Sequence, residues 1–177
     1  MLDVLKKWCK ENKFVSIYSN CADTERFIYG KILYVNEEEV LIYMVSPNGN
    51  FDGLLVIQTT SVFRLEYGGD YEKKMELLVS QYELPVFDFV VDDFHIGLSI
   101  LKIASKTREI VSIELMDSDI DDVVGIVESL DSNLCKIRQI NAYGSEDGYS
   151  IINLDDVTQI SYASEDERRI KILWDKT

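Results

Sequence analysis

The one histidine of the chain, His95, closes the run Asp92-Asp93-Phe94-His95, where a carboxylate could orient an imidazole as a general base or join it on a metal. Neither use is completed nearby. No serine or cysteine nucleophile stands in a recognisable motif beside it, and a metal would need ligands from elsewhere, so His95 reads as a residue of a connecting segment. Asn48-Gly49-Asn50-Phe51-Asp52-Gly53 imitates the opening of a calcium loop, with oxygen-bearing residues at alternate positions before a glycine. Such a loop ends on a bidentate Glu at its twelfth position, and that position is Thr59, so the segment reads as a tight hairpin turn. Cys9, Cys21 and Cys135 lack the close spacing of a metal or redox motif and read as buried small hydrophobes in a reducing compartment. With no glycine-rich phosphate loop, no GxSxG and no HExxH, no catalytic residue, metal ligand or cofactor is assigned, and the chain is expected not to be an enzyme.

Charge narrows the partners. The formal net charge is -14, spread evenly over both halves of the chain. Affinity for nucleic acid begins with clustered Lys and Arg neutralising phosphates, so this balance disfavours RNA and argues against DNA. It suits a protein partner, a basic one in particular. The acidic runs Glu37 to Glu39, Asp117 to Asp122 and Glu165 to Glu167 are expected in turns or at strand ends, as solvated faces or a docking surface for such a partner. The opening MLDVLKKWCKENK has no apolar run of signal length, and no segment approaches the roughly 20 apolar residues of a membrane span. A cytoplasmic protein without a membrane partner is the expectation.

The elements that would position any site come in two copies. Gly30 to Leu78 aligns without a gap on Gly125 to Leu173, with identities that include Gly30/Gly125, Ile42/Ile137, Gly49/Gly144, Asp52/Asp147, Gly53/Gly148, Ile57/Ile152, Val62/Val157 and Tyr67/Tyr162. Upstream, Leu5-Lys6, Lys10 and Val15-Ser16-Ile17 fall on Leu101-Lys102, Lys106 and Val111-Ser112-Ile113. Two domains are expected, over 1–78 and 97–177, joined by an apolar linker over 79–96. Units this small bury only about 60 to 65% of their unfolded surface, so the copies are expected to form a pseudo-dimer within one chain.

Each copy begins with a helical stripe, Leu2, Val4, Leu5, Trp8 and Cys9 in the first and Leu98, Leu101, Ile103 and Ala104 in the second. Five β-type runs follow: Phe14 to Tyr18, Arg26 to Val35, Val40 to Val45, Leu54 to Gln58 and Val62 to Tyr67, answered by Ile110 to Glu114, Asp121 to Leu130, Cys135 to Ile140, Tyr149 to Asn153 and Val157 to Tyr162. They are β-branched and aromatic and alternate, as a sheet wet on one face should. Thr59-Thr60-Ser61 leaves room for one tight turn between the last two. Gly30 and Gly125 fall inside the second strand, where glycine marks a sharp bend or a close backbone approach. Each unit therefore reads as a helix followed by five short antiparallel strands. In the linker, Val86 to Val91 has strand character and is expected to pair with a barrel edge.

The second strand carries glycine, any residue, an aliphatic, two of any, a hydrophobic, then Asn or Asp: Gly30-Lys31-Ile32-Leu33-Tyr34-Val35-Asn36 and Gly125-Ile126-Val127-Glu128-Ser129-Leu130-Asp131. With the leading helix and five strands, this resembles the Sm-like small barrels, and the wider class of Src-homology-type barrels. The resemblance implies a mainly β fold of two tandem five-stranded barrels, exposed edges that join neighbours into homo-oligomers, and contact with single-stranded RNA. The basic residue and glycine that the family places between strands four and five are replaced here by Gln58-Thr59-Thr60-Ser61 and Asn153-Leu154-Asp155-Asp156. Of the implied RNA contacts, Asn36 and Asp131 carry over, with Tyr34 and Tyr149 as stacking faces. Asn36 and Asp131 also serve as turn residues whose side chains bond their own backbone. The leading expectation is a non-catalytic module that binds a protein partner; the alternative is an Sm-like RNA-binding protein.

Overall fold

The computed structural model describes residues 1–87 and 90–176. They fall into two compact units, Met1–Ile96 and Gly97–Thr177. Among the described residues there are four helices and ten strands, and the chain is mainly β.

In the first unit, α1 (Leu2–Glu11) is followed by β1 (Phe14–Tyr18), β2 (Ile28–Val35), β3 (Glu39–Val45), β4 (Phe51–Gln58), one turn of 3-10 helix and β5 (Arg64–Glu66). The strand order is β5-β1-β2-β3-β4, with every pair antiparallel. The helix turns Leu5 and Trp8 into a core made with Val15, Ile17, Ile32, Val40, Ile42, Leu55, Ile57 and Val62. Asn12 stops it in the left-handed conformation at φ 52°, which Asn tolerates better than most residues.

The second unit repeats the plan with α3 (Ile96–Thr107), β6 (Ile110–Leu115), β7 (Val123–Asp131), β8 (Leu134–Ile140), β9 (Glu146–Asn153) and β10 (Val157–Tyr162), in the order β10-β6-β7-β8-β9. A register shift falls between Ile32 and Tyr34 in β2 and at the matching Val127 and Ser129 in β7. A second falls between Tyr43 and Val45 and, again in step, between Arg138 and Ile140. The duplication thus extends to the irregularities of the ladders.

The repeated glycines have separate causes. A Cβ on Gly30 would stand 2.1 Å from the Tyr43 carbonyl oxygen, and one on Gly125 would stand 2.0 Å from that of Arg138. Close backbone approach is therefore what the second strand requires. Gly49 and Gly144, at φ 88° and 75°, lie in hairpin turns closed by Ser46 N–H to Asn50 O and Asn141 N–H to Ser145 O. This is the turn expected in place of a calcium loop.

Each copy of the repeat closes with a helix that the sequence reading lacks: α2 (Asp70–Val79) and α4 (Glu165–Trp174). Leu78 and Leu173, identical between the copies, press on Gly49 and Gly144, where an added Cβ would come within 2.7 and 2.5 Å of their Cβ atoms. The first turn of each helix buries a glutamate. Glu72 accepts from Ser16 Oγ at 2.6 Å and Gly69 N at 2.9 Å; Glu167 accepts from Ser112 Oγ at 2.6 Å, Ser161 Oγ at 3.2 Å and Ser164 N at 2.6 Å. The run Glu165 to Glu167 is thus a helix start rather than a solvated turn: its third carboxylate satisfies otherwise orphaned N–H and hydroxyl donors. Cys21 is a further departure, being exposed where burial was expected, because it sits in an irregular stretch between β1 and β2.

The connection after α2 takes no strand in its described residues, 80–87 and 90–95. Of the expected strand Val86 to Val91, Asp88 and Phe89 lie outside the described residues, and Val86 and Val90 are each 93% exposed. Phe87 instead lies against a sheet face, its ring 5.2 Å from Phe51 and 6.2 Å from Tyr43, while Tyr43 Oη donates to the Pro85 carbonyl at 3.2 Å. Where described, the connection meets a face at Phe87 and contributes no strand. β3 and β4 do not alternate as expected: Val40, Leu41, Ile42 and Tyr43 are all buried, as are Leu54, Leu55, Val56 and Ile57.

Candidate functional site

Antiparallel pairing places directly opposed residues on the same side of a sheet, and alternate residues along a strand share that side. On the outer side of the first unit the opposed pairs are Leu41 with Val56 and Tyr43 with Leu54. In the second unit the matching pairs are Lys136 with Ile151 and Arg138 with Tyr149, in the same register. Leu134 and Asn153 continue the row. The two copies have the same geometry and opposite exposure. Leu54 and Val56 are 0% and 3% exposed, whereas Tyr149 and Ile151 are 51% and 68% exposed and Leu134 is 47% exposed.

Two cations lie among these apolar side chains. Lys136 Nζ stands 4.5 Å from the centre of the Tyr149 ring, within the range of an attractive cation–π contact. No carboxylate lies within ion-pair distance of it among the described residues. Arg138 is held on both sides: a nitrogen of its guanidinium is 2.8 Å from Glu128 Oε1, and another is 3.8 Å from Glu146 Oε2. Arg108 shares Glu128 at 3.3 Å. The guanidinium carbon is 5.9 Å from the Tyr149 ring centre, and Arg138 Nε is buried with no hydrogen-bond partner among the described residues. On the inner side of the same strand Cys135 is buried, and that burial pushes its thiol up to about 11, so it packs as an uncharged group.

The sequence-derived contact residues do not converge. Asn36 Oδ1 accepts from Glu38 N at 2.8 Å and Glu39 N at 2.6 Å, and its Nδ2 donates to the Asp93 carbonyl at 2.7 Å. Its side chain is consumed in a turn and in holding the connection. Asp131 Oδ1 accepts from Ser132 N at 2.8 Å. Tyr34 is half-buried on β2. Asp131 pairs with Leu134, and Tyr149 pairs with Arg138, so about 13 Å of strand separates these two residues of the second unit. Tyr149 lies within the exposed face, and Asp131, exposed and opposite Leu134, lies on the same side toward its other end. The residues missed were Leu134, Lys136, Arg138 and Ile151. Their signal lay in the repeat: VLIYMV reads as a strand buried on both sides, and LCKIRQI as one that alternates.

Other singled-out residues stay apart from this face. His95 is exposed and its backbone N–H donates to the Asp92 carbonyl at 3.0 Å. No group of three or more His, Cys, Asp or Glu among the described residues is placed to hold a metal ion, and no described helix is long and apolar enough to cross a membrane. No protein-family model matches the chain, and neither a curated protein nor a solved structure is similar to it.

Proposed function

We propose that the chain is a non-catalytic binding module, two tandem Sm-like barrels that together serve recognition of a protein partner. Support for the barrel reading comes from the β5-β1-β2-β3-β4 order and its repeat, the glycine pressed against a neighbouring carbonyl in each second strand, and the single 3-10 turn before each fifth strand. The observation that carries the function is the grouping of Leu134, Tyr149 and Ile151 on one exposed face while Leu54 and Val56, the matches of Tyr149 and Ile151, are buried in the other copy. Exposed apolar side chains gathered beside a cation resemble the core of a protein-binding patch more than a solvated surface.

Affinity capture with the tagged chain from its native extract, repeated after nuclease treatment, tests this reading. A specific protein retained through the nuclease step is the expected result; a capture that empties with nuclease replaces the reading with an RNA one. The RNA reading has one observation of its own, the Lys136 ammonium over an exposed Tyr149 ring, which could stack a base. The net charge of -14 opposes it. Binding to oligouridine across a salt series separates the two, because phosphate contact gives affinity that falls steeply with salt.

A further inference from the structure

We propose that the outer face of β8 and β9 is the seat for an extended peptide segment that bears an aromatic anchor flanked by carboxylates. The proposal rests on the protein-binding reading above and names the chemistry of the partner. Its template is inside the same chain. On the first unit, the matching face is met at Tyr43 and Phe51 by a segment that is neither helix nor strand, Glu83-Leu84-Pro85-Val86-Phe87, in a connection that also carries Asp92 and Asp93. Pro85 gives its carbonyl to Tyr43, and Phe87 seats its ring against Tyr43 and Phe51. That segment is acidic and aromatic, and it binds a sheet face without joining the ladder.

The second unit keeps the strand register beneath this cover and changes the side chains in a consistent direction. Lys136 stands for Leu41 and Arg138 for Tyr43, so two cations replace two neutral residues in a chain whose net charge is -14. At the positions that seat Phe87 in the first unit, Tyr43 and Phe51, the second has Arg138 and Glu146, ion-paired at 3.8 Å. A guanidinium fixed by two carboxylates presents a flat surface on which an aromatic ring stacks. Tyr149 and Ile151 extend that surface with apolar area, and Lys136, the cation without an ion pair among the described residues, is placed to take a carboxylate of the incoming segment. The aromatic anchor supplies the affinity, and the carboxylate sets the direction in which the segment lies.

The probe is a fluorescein-labelled peptide with the sequence of residues 82–93, followed by anisotropy against the full chain. Saturable binding is expected, weakened at least about tenfold by Ile151→Asp, by Lys136→Glu, or by Phe87→Ala within the peptide. Ile151 and Lys136 are exposed, so these variants should keep the parent melting temperature, measured alongside. Absence of saturable binding overturns the proposal, as does binding that both protein variants leave unchanged, which would place the peptide elsewhere. Tighter binding of oligouridine than of the peptide to the same residues overturns it in favour of nucleic acid. If Ile151→Asp and Lys136→Glu still capture the nuclease-resistant partner of the parent chain, the face is wrong and the protein-binding reading stands. If the parent chain captures no such partner, that reading fails by itself.

Discussion

Removing the buried carboxylate of α2 should weaken the first unit by an amount that the geometry sets. In Glu72→Ala, Gly69 N loses its capping acceptor, which costs about 1 kcal/mol. Ser16 Oγ, on a fully buried residue, loses its acceptor at 2.6 Å, and an unsatisfied buried hydroxyl adds about 1 to 3 kcal/mol. The total is about 2 to 4 kcal/mol, or roughly 4 to 16 °C in melting temperature for a chain of this length. Thermal unfolding followed by circular dichroism and calorimetry measures it. Ser16→Ala alone, Glu72→Gln alone and the double variant complete a cycle, and residues that share a buried hydrogen bond should show a coupling of about 1 to 2 kcal/mol. The twin site makes the same test in the second unit, where Glu167→Ala should cost more because Ser161 also donates to that carboxylate. A shift below about 1 °C, or strictly additive single variants, would refute the claim that these Ser–Glu pairs hold the closing helices to the sheets.

Four other outcomes are expected. Gly30→Ala and Gly125→Ala should each destabilise by about 3 kcal/mol or more, read from urea midpoints, since the new methyl meets a backbone carbonyl that cannot turn away. Phe87→Ala should cost about 1 to 3 kcal/mol and speed proteolysis of the connection, whereas Val86→Asp, at a position 93% exposed, should stay within about 0.5 kcal/mol. Burial, together with a hydrogen bond to Glu66 in the first case, raises Tyr18 and Tyr43 from 10 to about 12. The folded state then holds phenolic protons that the unfolded chain releases, so stability should be intact below pH 10 and decline toward pH 12, with absorbance at 295 nm rising together with unfolding. Native alkylation should label exposed Cys21 first, and Cys135 only once the second unit opens; prompt labelling of Cys135 would contradict its burial.

Much of the fold was legible because its strongest signal was internal comparison. Strand Phe14–Tyr18 matches its element residue for residue, and Gly30 with Gly125 marked a sharp bend or a close backbone approach, of which the structure has the close approach. The two closing helices were missed for a physical reason. Their apolar content is modest, and the acidic first turns Asp70 to Glu72 and Glu165 to Glu167 look like solvent-facing charge unless the capping role of the third residue is recognised. Their identical members, Glu72/Glu167 and Leu78/Leu173, were the available clue. The site was less legible than the fold. Tyr149 was named for stacking, but motif position pointed to Asn36, whose side chain serves its own turn. What separates one face from its twin is burial, and residue types at positions 41, 43, 54 and 56 reveal that burial without naming the cover.

Carrying both copies on one polypeptide frees them from obligatory symmetry. In an assembly of identical subunits every altered residue appears on each subunit, so a surface cannot be retuned at one location while its mate is preserved. Here position 136 can hold an exposed lysine while position 41 holds a buried leucine, and a mutational scan should find the former tolerant for stability and the latter constrained by close packing.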